Sequence, residues 1–167
     1  MSHDKQIVPL EPDSLALAMV ALSDAPIVLL DREFGVVAAS ASFARAFLLD
    51  PASIVGVSIY DLGVHEWDAP QLRSLLQRAL VAEATADASE MDLIRPGLAP
   101  RRLVINAHRL DHDGPSNARL LLTVSDVTDA RLTERLRDDL MREKSVLKHI
   151  DAVGASGVVG LGQGLPP

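Results

Sequence analysis

The run from Arg119 to Glu134 constrains this chain most, because its physical character changes in the middle without a break. Leu120-Leu-Leu-Thr-Val-Ser125 is apolar and β-branched, which reads as a buried strand. From Asp129 onward charges are interrupted by Leu132, Leu136 and Leu140, the spacing of an exposed helix with one apolar stripe. Between the two lies Ser125-Asp-Val-Thr-Asp129, rich in side-chain oxygens that cap the first amide groups of a helix. A strand that runs straight into a long polar helix can pass a displacement along. The residues before the junction are expected to sense, and those after it to carry the result outward.

The rest of the chain supplies a sheet for that strand. Pro26-Ile-Val-Leu-Leu-Asp31 and Val36-Val-Ala-Ala-Ser40 read as strands around a turn at Arg32-Glu-Phe-Gly35, with Gly35 where a hairpin commonly needs positive φ. Ser42 to Leu49 reads as a helix capped by Ser42, with Phe43 and Phe47 on one face, stopped by Asp50-Pro51. One-turn helices are expected at Ser53–Val55 and Ser58–Leu62, on either side of Gly56. Gly63 to Pro70 reads as a loop holding Trp67, and a firmer helix follows from Pro70 to about Ala84 with an apolar stripe of Leu72, Leu75, Leu76, Ala79 and Leu80. Three more strands are expected at Ser89–Ile94, Arg101–Leu110 and Leu120–Val127. Strands grouped in this way argue an α+β fold, an antiparallel sheet with helices on one side.

The flanks read differently. Residues 1–13 are expected to be loose and 14–24 to hold a helix, Leu15–Leu22, capped by Asp13 or Ser14. Its Leu15, Ala18, Met19 and Leu22 share a face that needs either the sheet or a second copy of the chain. The main domain spans 25–128 and the outgoing helix 129–151, where Leu136, Leu140, Leu147 and Ile150 keep a four–three spacing with Glu143 at the missing step. That spacing suits a short two-stranded coiled coil and hence a homodimer. Residues 152–167, with five glycines from Gly154 onward and two final prolines, read as a disordered tail.

Composition removes several classes of function. With 16 basic against 23 acidic residues, net charge −7 and no basic run, binding to nucleic acid or an anionic membrane is disfavoured. The absence of cysteine excludes disulfides, thiolate nucleophiles, cysteine-held metals and a cysteinyl–flavin adduct. Met1–Gln6 is polar and no run approaches the roughly 18 apolar residues of a membrane span, so a cytoplasmic location is expected.

The order of two strands, a helical patch and three strands resembles a PAS domain over about Leu15 to Ile150. Ala25 to Ser40 looks like the first two PAS strands, and Asp126-Val-Thr128 is similar to the signature that ends the last one. In that family this Asp and Thr sit where the core joins the signalling helix, so Asp126 and Thr128 are the expected switch as well as the expected cap. Ile59 to Leu76, with Arg101 to Leu110, resembles the PAS modules of chemotaxis methylesterase–methyltransferases and proteobacterial sensor histidine kinases, departing at His65, Glu66 and His108. Leu140 to Asp151 is similar to the lead-in of HWE-type histidine kinases, where the text continues Asp-His-Arg. Here Ala152 and Val153 follow Asp151, so the chain looks like such a kinase stopped short of its phosphoacceptor histidine and ATP-binding domain, and His149 does not inherit the acceptor role. The resemblance implies a sensory and dimerisation module of bacterial two-component signalling, with a small-molecule ligand or a signalling protein as partner.

The candidate site residues follow from these placements. The five histidines, His3, His65, His108, His112 and His149, show no paired ligand spacing, and His65 is singled out only because it precedes the longer helix. Trp67 reads as a core plug rather than a ring that stacks on a cofactor. Asn106, a polar amide amid Leu103, Val104 and Ile105, must bond a backbone group or a ligand if buried. His65, Trp67, Asn106 and His108 are therefore the pocket candidates. Haem or flavin stays open as an alternative, as does a ligand-free interaction module. No nucleophile with a base and orienting partner appears, and no phosphate-cradling loop.

Overall fold

The computed structural model describes residues 12–82, 86–111 and 114–158. His3, His112 and residues 159–167 of the expected tail lie outside the described residues. Strands β1 (Ile27–Leu30), β2 (Val36–Ala39), β3 (Ala86–Leu93), β4 (Arg101–Leu110) and β5 (Arg119–Asp126) form one antiparallel sheet in the order β2-β1-β5-β4-β3. The first and last strands are thus neighbours, with Val28 opposite Leu122 and Leu30 opposite Leu120.

Strand alternation decides which residues make the core. Leu103, Ile105 and Ala107 of β4 share a buried face with Leu120, Leu122 and Val124 of β5 and with Val28 and Leu30 of β1. Covering that face are α2 (Ala41–Ala46), α3 (Pro51–Ile54), a one-turn 3-10 helix (Ile59–Asp61) and α4 (Pro70–Val81). Helix α4 lays the expected Leu72, Leu75, Leu76 and Ala79 against β3, β4 and β5, leaving Leu80 partly buried.

Local chemistry moves some boundaries. Ser40, rather than Ser42, caps α2: its buried hydroxyl accepts from the Phe43 N–H at 3.1 Å and the Ile27 N–H at 3.1 Å and donates to the Ala25 carbonyl at 2.9 Å. One serine thereby ties β1 to the end of β2 and to the first turn of α2. In the β1–β2 turn the positive φ belongs to Phe34, at 65°, and not to Gly35. Gly35 is needed for space instead, since the Asp31 carboxylate accepts from its N–H at 2.9 Å and a Cβ there would lie 2.8 Å from that carboxylate.

The N-terminal helix α1 (Pro12–Ala21) packs against β1 and β2, but not by the expected face. Val20 is buried, whereas Leu15, Met19 and Leu22 are exposed. The segment is apolar all round, so its periodicity sets no direction and the sheet selects the side that fits. Helix α5 (Thr128–Val158) also departs from expectation, because residues 152–158 continue the helix instead of starting a disordered tail. Glycine costs only about 1 kcal/mol against alanine in a helix, and extending an existing helix needs no new nucleus. One compact unit ends at Val127 and a second begins at Thr128. Within α5, Leu136, Leu140, Leu147 and Ile150 are each more than half exposed. No described helix is long and apolar enough to cross a membrane.

Candidate functional site

The site grows from the loop that joins the 3-10 helix to α4. Gly63 and His65 both hold positive φ, 64° and 66°, which turns the chain sharply and drives Trp67 inward. Trp67 is fully buried, 5.2 Å from the Phe43 ring and edge-on to Phe47 at 4.9 Å. Phe43 and Phe47, four residues apart on and just beyond α2, meet at 5.1 Å with their rings tilted by 53°. Such contacts add about 0.5–1.5 kcal/mol per pair to the burial of the rings. The expectation of a core plug describes this arrangement. Yet the indole N–H of Trp67, like the hydroxyl of Tyr60, is buried without a hydrogen-bond partner among the described residues.

Tyr60 lies beside this cluster, its ring edge-on to Phe34 at 5.8 Å and covered by the Arg73 guanidinium at 4.1 Å. Burial pushes its phenol pKa up, against the pull of the Arg73 charge. Arg73 in turn donates to the Asp68 carboxylate at 2.5 Å.

The loop is held from below by an ion pair. The Glu66 side chain is 0% exposed and pairs with Arg95, itself 19% exposed, just beyond β3. Arg95 Nε donates to Glu66 at 2.8 Å, and the Val64 N–H donates to the same carboxylate at 2.6 Å. Burial by itself would push the Glu66 carboxyl up. Hydrogen bonds from its own backbone N–H, from Arg95 and from Val64 outweigh that effect and hold its pKa below the usual range. Arg95 also donates to the Phe47 carbonyl at 2.8 Å.

A second arginine reaches the same helix end from β4. Arg101 donates to the Ala46 carbonyl, sits 5.4 Å from the Phe47 ring centroid and pairs with Asp126 at 3.2 Å. Asp126 is the last residue of β5 and Thr128 the first of α5. The Asp126 carboxylate thus engages the sheet through Arg101 in addition to standing at the junction.

The pocket candidates do not converge. Trp67 is in the core. His65 is 69% exposed, its Nδ1 3.4 Å from Asp61. Asn106 and His108 are half-buried on the opposite sheet face, where Asn106 stands across from Thr123 and His108 from Leu121. The strand's own alternation carried that information: Ile105 and Ala107 face inward, so their neighbours face out. Among the described residues no group of three or more His, Asp or Glu is placed to hold a metal ion. Neither His65 nor His108 faces the aromatic cluster, so neither fits as an axial ligand to a haem there. Sequence reading missed Glu66, Arg95 and Arg101, whose long-range partners lie 25 to 55 residues away in the chain.

Comparison with known proteins agrees with this architecture. A family model described as the PAS fold matches residues 20–132 of the 167. The PAS domain of BvgS from Bordetella pertussis is similar in structure, with a TM-score of 0.55 at 15% identity over 78% of this chain and 96% of that one. So is the PAS domain of nitrogen regulation protein NR(II) from Vibrio parahaemolyticus, with a TM-score of 0.54 at 19% identity over 68% of this chain and 98% of that one. A PAS domain from a two-component sensor histidine kinase aligns with a TM-score of 0.50 at 7% identity over 68% of this chain and 95% of that one. A search of curated proteins found no match. The sheet order, the helical layer and the matched residues together place this chain in the PAS fold family.

Proposed function

We propose that this PAS unit is the sensory and dimerisation input of bacterial two-component signalling, serving a histidine kinase of the HWE type. The observation that carries the reading is the junction. Only Val127 separates the end of β5 from the start of α5, and α5 exposes Leu136, Leu140, Leu147 and Ile150 as a stripe. Such a stripe suits a second copy of the chain in a short coiled coil. A ligand or protein that prefers one state of the sheet would shift the Asp126–Thr128 junction, and with it the register of the helix pair. The similarity of Leu140–Asp151 to the HWE lead-in supports the finer assignment.

A small-molecule input has its own support. The indole N–H of Trp67, buried without a partner among the described residues, offers a donor to a ligand that brings an acceptor into the aromatic cluster. Native mass spectrometry of the purified chain tests both parts at once. A dimer carrying added small-molecule mass is the expected result. A dimer without such mass leaves a dimerisation or protein-interaction module, and a monomer at micromolar concentration counts against the helix seam.

A further inference from the structure

We propose that Arg95 and Arg101 act as a two-armed clamp on the end of α2, linking the Trp67 loop to Asp126. The inference rests on the sensory reading above and names the residues through which the core would reach the output. The two arginines stand at either end of the β3–β4 turn and donate to consecutive carbonyls, Phe47 and Ala46. These are end-of-helix acceptors with no later turn to satisfy them. Each arginine holds a carboxylate with its remaining donors, Glu66 for Arg95 and Asp126 for Arg101. The Phe47 ring is edge-on to Trp67 and 5.4 Å from the Arg101 guanidinium. Leu48, immediately after it, is held at a φ of 54°, a strained conformation for leucine that the surroundings must maintain.

The arms differ in strength. The Glu66 side chain is 0% exposed, whereas those of Arg101 and Asp126 are 41% and 36% exposed, so water and salt screen the second pair more. A displacement of the Trp67–Phe47 cluster moves the Ala46 and Phe47 carbonyls with it. Arg95 follows as part of a fixed joint, and Arg101 then keeps either its carbonyl or Asp126. The releasable arm is the one at the output.

Trp67 is the only tryptophan in the chain, so its fluorescence reports one arm while mutation perturbs the other. In the full chain, Asp126→Asn should raise acrylamide quenching of Trp67. Asp92→Asn, which removes a partner of Arg102 on the same hairpin, should leave it unchanged. Urea unfolding of Glu66→Gln, Asp126→Asn and the double variant should be non-additive by at least about twofold in the unfolding constant, whereas uncoupled sites add. Equal quenching in Asp126→Asn and Asp92→Asn overturns the clamp, as does an additive cycle. Should Glu66→Gln fail to fold, the quenching comparison alone decides. Sedimentation reads dimerisation separately, so a monomeric chain with an intact clamp refutes only the seam.

Discussion

At the scale of single residues, Glu66 is the group whose chemistry can be tested most directly. Its folded pKa lies below the unfolded value of about 4.3, so the ion pair stabilises the fold above that pH. The contribution is lost as pH falls through the folded pKa. Stability measured by urea unfolding from pH 7 down to 3 should therefore fall less steeply in Glu66→Gln than in the parent. Replacing Glu66 by alanine leaves Arg95 without its carboxylate partner and should cost about 3 kcal/mol at pH 7, the lower end for a broken buried pair. The same carboxylate explains a glycine. A Cβ on Gly63 would collide with the Glu66 carboxylate, and its φ of 64° disfavours any side chain. At Gly97, with φ 79°, a Cβ would meet nothing within 4 Å. Gly97→Ala should then cost about 1 kcal/mol for left-handed backbone alone, and Gly63→Ala clearly more, read as a difference in urea midpoints. Neither role is legible in the sequence. Glu66 stands in a polar stretch, and its partner is 29 residues away.

At the scale of elements, amphipathic pattern is as informative as the contrast between its faces. Helix α4 has a sharp apolar stripe, and the residues it buries are those the sequence indicates. Helix α5 exposes Leu136, Leu140, Leu147 and Ile150 at the four–three spacing, so its test is direct. Leu140→Asp with Leu147→Asp removes two side chains per helix from the proposed seam and should weaken the proposed self-association by on the order of 100-fold or more, measured by sedimentation equilibrium. Circular dichroism should show the sheet unit retained, because both leucines are exposed within the chain. Helix α1 departs from expectation for the opposite reason. With apolar residues on every side, its own sequence does not say whether Val20 or Met19 turns inward, and β1 and β2 take Val20. Strand β4 shows the rule at period two: Asn106 sits amid apolar neighbours yet faces away from the core, because register rather than company sets its side.

At the scale of the whole molecule, the proposed role is that of an input without chemistry of its own. Incubated with labelled ATP, this chain should take up no phosphate, since Asp151 is followed by Ala152 and Val153 where the kinase pattern has histidine and arginine. Stable labelling at His149 would overturn that reading. Its absorption spectrum should show no haem Soret peak, because His65 and His108 lie away from the aromatic core. By itself the sequence determined the strand and helix order, the α+β class, the stripe of α4 and the strand-to-helix junction at Asp126–Thr128. These are local properties, because period acts over a few residues and is written where it acts, whereas the α2 cap lies at Ser40 instead of Ser42 and the positive φ of the first turn at Phe34 instead of Gly35. Tertiary structure alone decided the face that α1 buries and the joining of Glu66, Arg95, Arg101 and Asp126 around one helix end. Those outcomes depend on groups brought together from distant parts of the chain, where a buried carboxylate is stable only once the fold supplies its arginine.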